Sequence, residues 1–131
     1  MKLFIDASAL VAMINHEDGA TAFVDRLDGA EPICSAIAQW EATNAVAHTR
    51  TDGDVRLARQ LVMEFAALYE LALVPIGAEE AGIATEAFVR YGKGRHPAQL
   101  NMGDCFAYAC AKANNARLLY KGDGFSKTDL A

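Results

Sequence analysis

The sequence predicts an α/β domain built on a short parallel sheet with helices on both faces. Two observations carry that expectation. Four short apolar segments, each bounded by turn residues, recur along the 131 residues. Between them lie stretches whose apolar residues repeat at helical spacing, and strands that alternate with helices pair in parallel. The strand segments read as continuous apolar runs, as strands buried on both faces do. No repeat, linker or low-complexity tract interrupts the pattern, so residues 1–131 are read as a single domain, long enough to bury about two thirds of its unfolded surface.

The elements follow in order. KLFI at 2–5 is the first strand, and a helix over 8–15 follows DAS, in which Asp6 or Ser8 can cap. A second short helix covers 20–28, and residues 32–35 form the second strand. Ser35 then caps a helix over 36–51 that stops near Gly53. Over 54–70, Val55, Ala58, Leu61, Val62, Phe65 and Leu68 recur at helical spacing. The third strand is expected at 71–76, and a helix over 78–91 ends in the sequence GKG. Asn101 caps the last helix, 102–115, whose stripe of Met102, Cys105, Phe106, Ala109, Cys110 and Ala113 predicts a core face. Residues 117–121 are the fourth strand.

Composition narrows the class. Hydrophobic residues make up 53% and charged ones 22%, an ordinary globular balance. Three cysteines without a CxxC pair speak against a disulfide framework or zinc site and fit a reducing cytoplasm. No membrane association is expected, because no apolar run approaches about 18 residues. The net charge of −5 disfavours a general nucleic-acid binder, but the charge is unevenly spread: residues 1–89 hold 5 Lys and Arg against 14 Asp and Glu, and residues 90–131 hold 7 against 3. A basic last third can meet a polyanion locally.

Four acids are placed where they can meet. Asp6 and Asp123 follow apolar strands, Glu41 lies two turns into the third helix, and Asp104 sits in the first turn of the last. Ligands of open α/β sheets collect beyond the carboxyl ends of the strands. Each acid also has an ordinary structural use: Asp6 as a cap, Glu41 on a solvated face, Asp104 as a first-turn acid, Asp123 in a glycine-flanked turn. If the four converge, their repulsion calls for a hard divalent cation, and carboxylates suit Mg2+ or Mn2+. His16, His48 and His96 are scattered, which disfavours zinc. A carboxylate-held Mg2+ suits phosphodiester hydrolysis.

The segments FIDASALVAM, SAIAQWEATNAV and YGKGRHPAQLNMGDCFAYACAKANNARLLYKGDGFSKTDL together resemble the PIN-domain ribonucleases, specifically the VapC-type toxins of type II toxin–antitoxin pairs. The most specific part is LNxGDCxxYAxAK, a short strand, then KGxxF and TD. The resemblance spans essentially the whole chain. It implies a three-layer α/β/α sandwich and a metal-dependent endoribonuclease using Mg2+ or Mn2+. Asp6 and Asp104 would contact the metal, Glu41 would ligate it or orient water, and Asp123 would serve at one remove or at a second metal. Ser8 would support the first acid. It further implies an RNA substrate, a cognate VapB-type antitoxin, a homodimer and a cytoplasmic location. Lys93 and Arg95 of YGKGRHP are expected to contact RNA, with Lys112, Lys121 and Lys127 extending the path. Trp40 and Tyr108 could stack on bases, but packing is the first reading for both. The alternative is a PIN fold that binds RNA or protein without cutting. Phosphatase, receiver and dinucleotide-binding readings each lack a required feature: Ser8 stands where D-x-D needs a second acid, no acidic pair precedes 71–76, and DASAL has no glycine-rich turn.

Overall fold

Leu3, Phe4 and Ile5 are wholly buried, a pattern that only a strand flanked on both edges and covered on both faces can sustain. In the computed structural model, which describes residues 1–131, β1 (Lys2–Ile5) lies inside a four-stranded parallel sheet of order β3-β2-β1-β4. Its neighbours are β2 (Glu31–Cys34) and β4 (Arg117–Leu119), with Phe4 opposite Ile33 on one side and Leu118 on the other. β3 (Ala72–Leu73) is shorter than the expected 71–76. Val74 N still donates to Cys34 O (2.9 Å), but Pro75 has no N–H to extend the ladder.

Six helices complete the domain: α1 (Ala7–Ile14), α2 (Ala20–Leu27), α3 (Ala36–Thr49), α4 (Val55–Leu68), α5 (Ala78–Tyr91) and α6 (Met102–Ala113). Side-chain caps start four of them: Asp6, Ser35, Asp54 and Asn101 each accept from a backbone N–H of the first turn. α1 to α4 pack among themselves and α5 packs on α6, so right-handed crossovers put the two groups on opposite faces. This is the expected three-layer sandwich. The chain leaves β1 toward β2 and returns from the other side as β4, which makes the end of β1 the point where the strand order reverses.

Cys34, Cys105 and Cys110 are buried and free, as read. The stripe predicted for α6 holds for Cys105, Ala109 and Cys110, and Phe106 packs half-buried against the core, but Met102 is 64% exposed. Because α6 touches α3, α5, β1 and β4, it buries Ala107, Tyr108 and Ala111 as well, and its buried surface is not one stripe. No helix is long and apolar enough to cross a membrane.

Candidate active site

Asp6 is the residue immediately beyond β1, and its N–H extends the ladder by donating to Leu119 O (3.0 Å). Its side chain caps α1: Oδ2 accepts from Ser8 N (3.0 Å) and from Ser8 Oγ (2.6 Å). Ser8 Oγ in turn accepts from Lys121 N (2.9 Å), so one hydroxyl ties the carboxylate to the segment after β4. Asp6 is nevertheless buried, and neither ion pair of the protein involves it. Burial raises its carboxyl above the ordinary value; the two Ser8 bonds work against the rise and the Asp104 charge adds to it.

Glu41 reaches the same place from α3. Loss of hydration, then the charges of Asp6 and Asp104, push it up to about 7. Its carboxylate lies against the Cα of Gly103 in the first turn of α6, in space that the Cβ of any other residue would occupy. Asp104, the next residue, forms a reciprocal cap with Asn101: its N–H donates to Asn101 Oδ1 (2.9 Å) and its Oδ2 accepts from Asn101 N (3.1 Å). Burial raises its carboxyl, against the pull of the Asn101 N–H. Three acids from three elements thus gather at the carboxyl end of the central strand, and each is held in a state that opposes its ionisation.

Asp123 does not join them. β4 ends at Leu119, two residues earlier than expected, and Asp123 stands exposed in the following turn, where its backbone C=O accepts from Ser126 Oγ (2.5 Å). Its charge is not among those that raise the three acids. As the side chains stand, no group of three His, Cys, Asp or Glu is set to hold a metal ion. The chemistry of the gathered donors still suits a hard cation: all are carboxylates, and the Ser8 and Asn101 caps use only the Oδ2 atoms of Asp6 and Asp104.

Lys93 and Arg95 lie exposed on the α5–α6 loop. Lys93 N donates to Leu100 O (2.9 Å), next to Asn101, whereas the Arg95 guanidinium sits 5.4 Å over the Phe88 ring. Two of the other basic residues are already paired: Lys112 with Asp129 (2.6 Å) and Lys121 with Glu17 (2.5 Å). Tyr108 is buried, as expected, and donates its hydroxyl to Asp129 Oδ1 (2.7 Å). Trp40, read as packing, is instead 67% exposed. The sequence reading missed two residues. Gly103 carried a signal, because glycine inside a helix is disfavoured by about 1 kcal/mol unless something needs the space. Asp129, which gathers Tyr91, Tyr108 and Lys112 and fixes the C-terminal segment, stood in the sequence only as the acid of the TD motif, with no role read for it.

The raised Glu41 has a measurable consequence. A carboxyl that binds its proton more tightly folded than unfolded contributes stability that is fully present below its ordinary 4.5 and is lost as pH climbs through about 7. Without divalent cations the protein is therefore expected to melt at a lower temperature at about pH 8 than at about pH 5.5. Calorimetric scans in EDTA check this, and a melting temperature that rises with pH would contradict it.

Residues 3–130 match the PIN domain family. A VapC ribonuclease of Rhizobium meliloti is 40% identical, with 97% of this chain and 98% of that protein aligned. A ribonuclease VapC of Mycolicibacterium smegmatis is 39% identical over 98% of each. Among solved structures, VapBC2 from Rickettsia felis bound to a DNA fragment from their promoter superposes with a TM-score of 0.73 at 16% identity, covering 97% of this chain and 92% of that one. That last likeness bears on the fold.

Proposed function

From the premise that the chain belongs to the PIN domain family, and within it to the VapC ribonucleases, we propose that it is a divalent-metal-dependent endoribonuclease and the toxin of a toxin–antitoxin pair. The observation that carries the reading is the meeting of Asp6, Glu41 and Asp104 beyond β1. Three like charges kept close at a cost in stability are best explained by a cation that joins them during function.

Asp6, Glu41 and Asp104 would hold Mg2+ or Mn2+. Such an ion supplies charge neutralisation for the phosphodiester and an acidified water. The chain's own residues do the positioning. Ser8 fixes Asp6 through Oδ2 and makes no bond to Oδ1. The Asn101 cap restrains Asp104 in the same way, and Gly103 gives Glu41 its place. Asp123, exposed in its turn, would act only at one remove. Lys93 is the better placed of the two loop cations to receive an RNA phosphate, because Arg95 is engaged with Phe88.

The antitoxin would lie over α1, α2 and α4. A groove of about 410 Å³ there is lined by Met13, Ile14, Val24, Leu61, Phe65 and Leu68. The acidic balance of residues 1–89 suits a VapB-type partner with basic residues beside its apolar ones. A homodimer and a cytoplasmic location complete the proposal. The test is cleavage of RNA with Mg2+ or Mn2+, with and without EDTA. Cleavage is expected to stop in the chelator and resume on adding excess metal. Activity that survives EDTA would overturn the metal mechanism, and intact RNA under all conditions would favour a PIN fold that binds without cutting.

A further inference from the structure

Residues 92–100 join α5 to the Asn101 cap of α6, and every backbone N–H among them has its acceptor within residues 88–100. The ends are bridged: Leu100 N donates to Tyr91 O (3.0 Å) and Lys93 N donates to Leu100 O (2.9 Å). Arg95 N and His96 N both donate to Gly92 O (2.9 and 3.1 Å). His96 holds the interior. Its C=O accepts from Gln99 N (2.9 Å), its Nδ1 accepts from Ala98 N (3.0 Å), and its ring stands edge-on to Tyr91 with 5.2 Å between centroids. Ala98 and Leu100 are buried. Gln99 is kept at φ +56°, a conformation that a residue other than glycine holds only where its surroundings over-determine it. With all its N–H groups used internally, the loop has none to offer a phosphate, so its rigidity serves something else.

The loop ends on a peptide unit that touches an acid. The C=O of the Leu100–Asn101 peptide accepts from Lys93 N, and the N–H of the same unit donates to Asp104 Oδ2 (3.1 Å). A peptide unit is planar, so its two polar groups can only turn together. We propose that His96 is a positioning residue for Asp104: it keeps the loop closed, the closed loop fixes the Leu100–Asn101 peptide, and that peptide aims the carboxylate. The inference rests on the reading of Asp104 as a metal ligand, and partners that orient a ligand matter to a metal site nearly as much as the ligand does. Asp6 is served in the same way by a different loop. There Lys121 N donates to Ser8 Oγ (2.9 Å), which donates to Asp6 Oδ2 (2.6 Å). In both loops the lysine whose N–H is fixed precedes a glycine of positive φ, Gly94 at +82° and Gly122 at +96°, which turns the chain away from the contact. A connection that merely joined α5 to α6 would need neither the bridge nor the internal His96 bonds.

The test compares the full-length wild type with His96→Ala and His96→Asn. His96 is half-buried and lies outside the core, so its replacement should spare the fold. The Asn101 amide reports directly on its bond to Asp104, and in His96→Ala it should exchange with solvent about fivefold faster. The amides of Ala109 and Cys110, deep in α6, should exchange as in the wild type. The dissociation constant for Mn2+, read by titrating the free ion's paramagnetic resonance signal, should rise about tenfold. His96→Asn should restore both values, because its Oδ1 is one bond from Cγ, as Nδ1 is in histidine. Unchanged Asn101 exchange in His96→Ala would overturn the proposal, as would faster exchange with wild-type Mn2+ affinity. Equal acceleration at Ala109 and Cys110 would mark general loosening and overturn it too, and so would an asparagine variant as impaired as the alanine one. Faster Asn101 exchange in His96→Ala, with a wild type that binds no Mn2+, would uphold the link from loop to acid and reject the metal reading, so the two can fail separately.

Discussion

Asp6→Asn is expected to abolish metal-dependent RNA cleavage while leaving the protein at least as stable as the wild type. Both bonds from Ser8 go to Oδ2 of Asp6, and neither goes to Oδ1. An asparagine that presents its carbonyl oxygen at the Oδ2 position keeps the cap and turns its amide N–H2 toward Glu41 and Asp104. Two effects follow from removing one buried charge. The carboxylates that remain lose a like-charge neighbour, which lowers Glu41 from its value of about 7 toward the ordinary range. Under the proposed mechanism a cation would lose a ligand worth several kcal/mol of charge stabilisation in the reaction, or a rate factor of about a thousand. The expected signature is a melting temperature in EDTA at about pH 8 that is equal or higher, with cleavage near background. Loss of both fold and activity would mean that Asp6 is chiefly a structural cap. Cleavage at the wild-type rate would remove Asp6 from the site.

That prediction shows why part of the site was legible in the sequence and part was not. The structural use and the functional use of Asp6 look like rivals on paper, but the structure satisfies both with different oxygens: Oδ2 caps α1 and Oδ1 is left over. Asp104 repeats the arrangement, with Oδ2 bound to Asn101 N. A residue that caps a helix at the end of a strand is therefore not excluded from chemistry, because the cap uses only half of a carboxylate. Order along the chain was enough to place Asp6, Glu41 and Asp104 at one end of the sheet, since strand ends and helix starts coincide there. It was not enough for Asp123, whose position depends on where β4 frays: a strand two residues shorter leaves the acid out in the turn. Periodicity failed on α6 for a related reason. A helix buried on several sides has no single stripe, so the spacing of Met102 from Cys105 said nothing about which way Met102 points. Trp40 was misread because burial of large apolar residues is a strong default, and its departure from that default appears only when neighbours are seen.

Gly103→Ala is expected to cost about a hundredfold in cleavage without unfolding the protein. Alanine favours a helix over glycine by about 1 kcal/mol, so in isolation the change should stabilise α6. The added Cβ, however, would fall inside contact distance of both carboxylate oxygens of Glu41. What it meets is the end of a flexible side chain and not backbone, so Glu41 can swing aside and the fold can survive. The carboxylate then sits at least about 1 Å from its place beside Asp6 and Asp104, a displacement that typically costs about two orders of magnitude in rate. Glu41 should also return toward its ordinary pKa, since both burial and the neighbouring charges that raise it depend on that placement. The argument has an internal control. In a Glu41→Ala background there is no carboxylate to displace, so Gly103→Ala should add nothing further to the loss, and the two substitutions should be strongly non-additive. Equal and independent losses from both changes would show that Gly103 acts through the helix and not through Glu41.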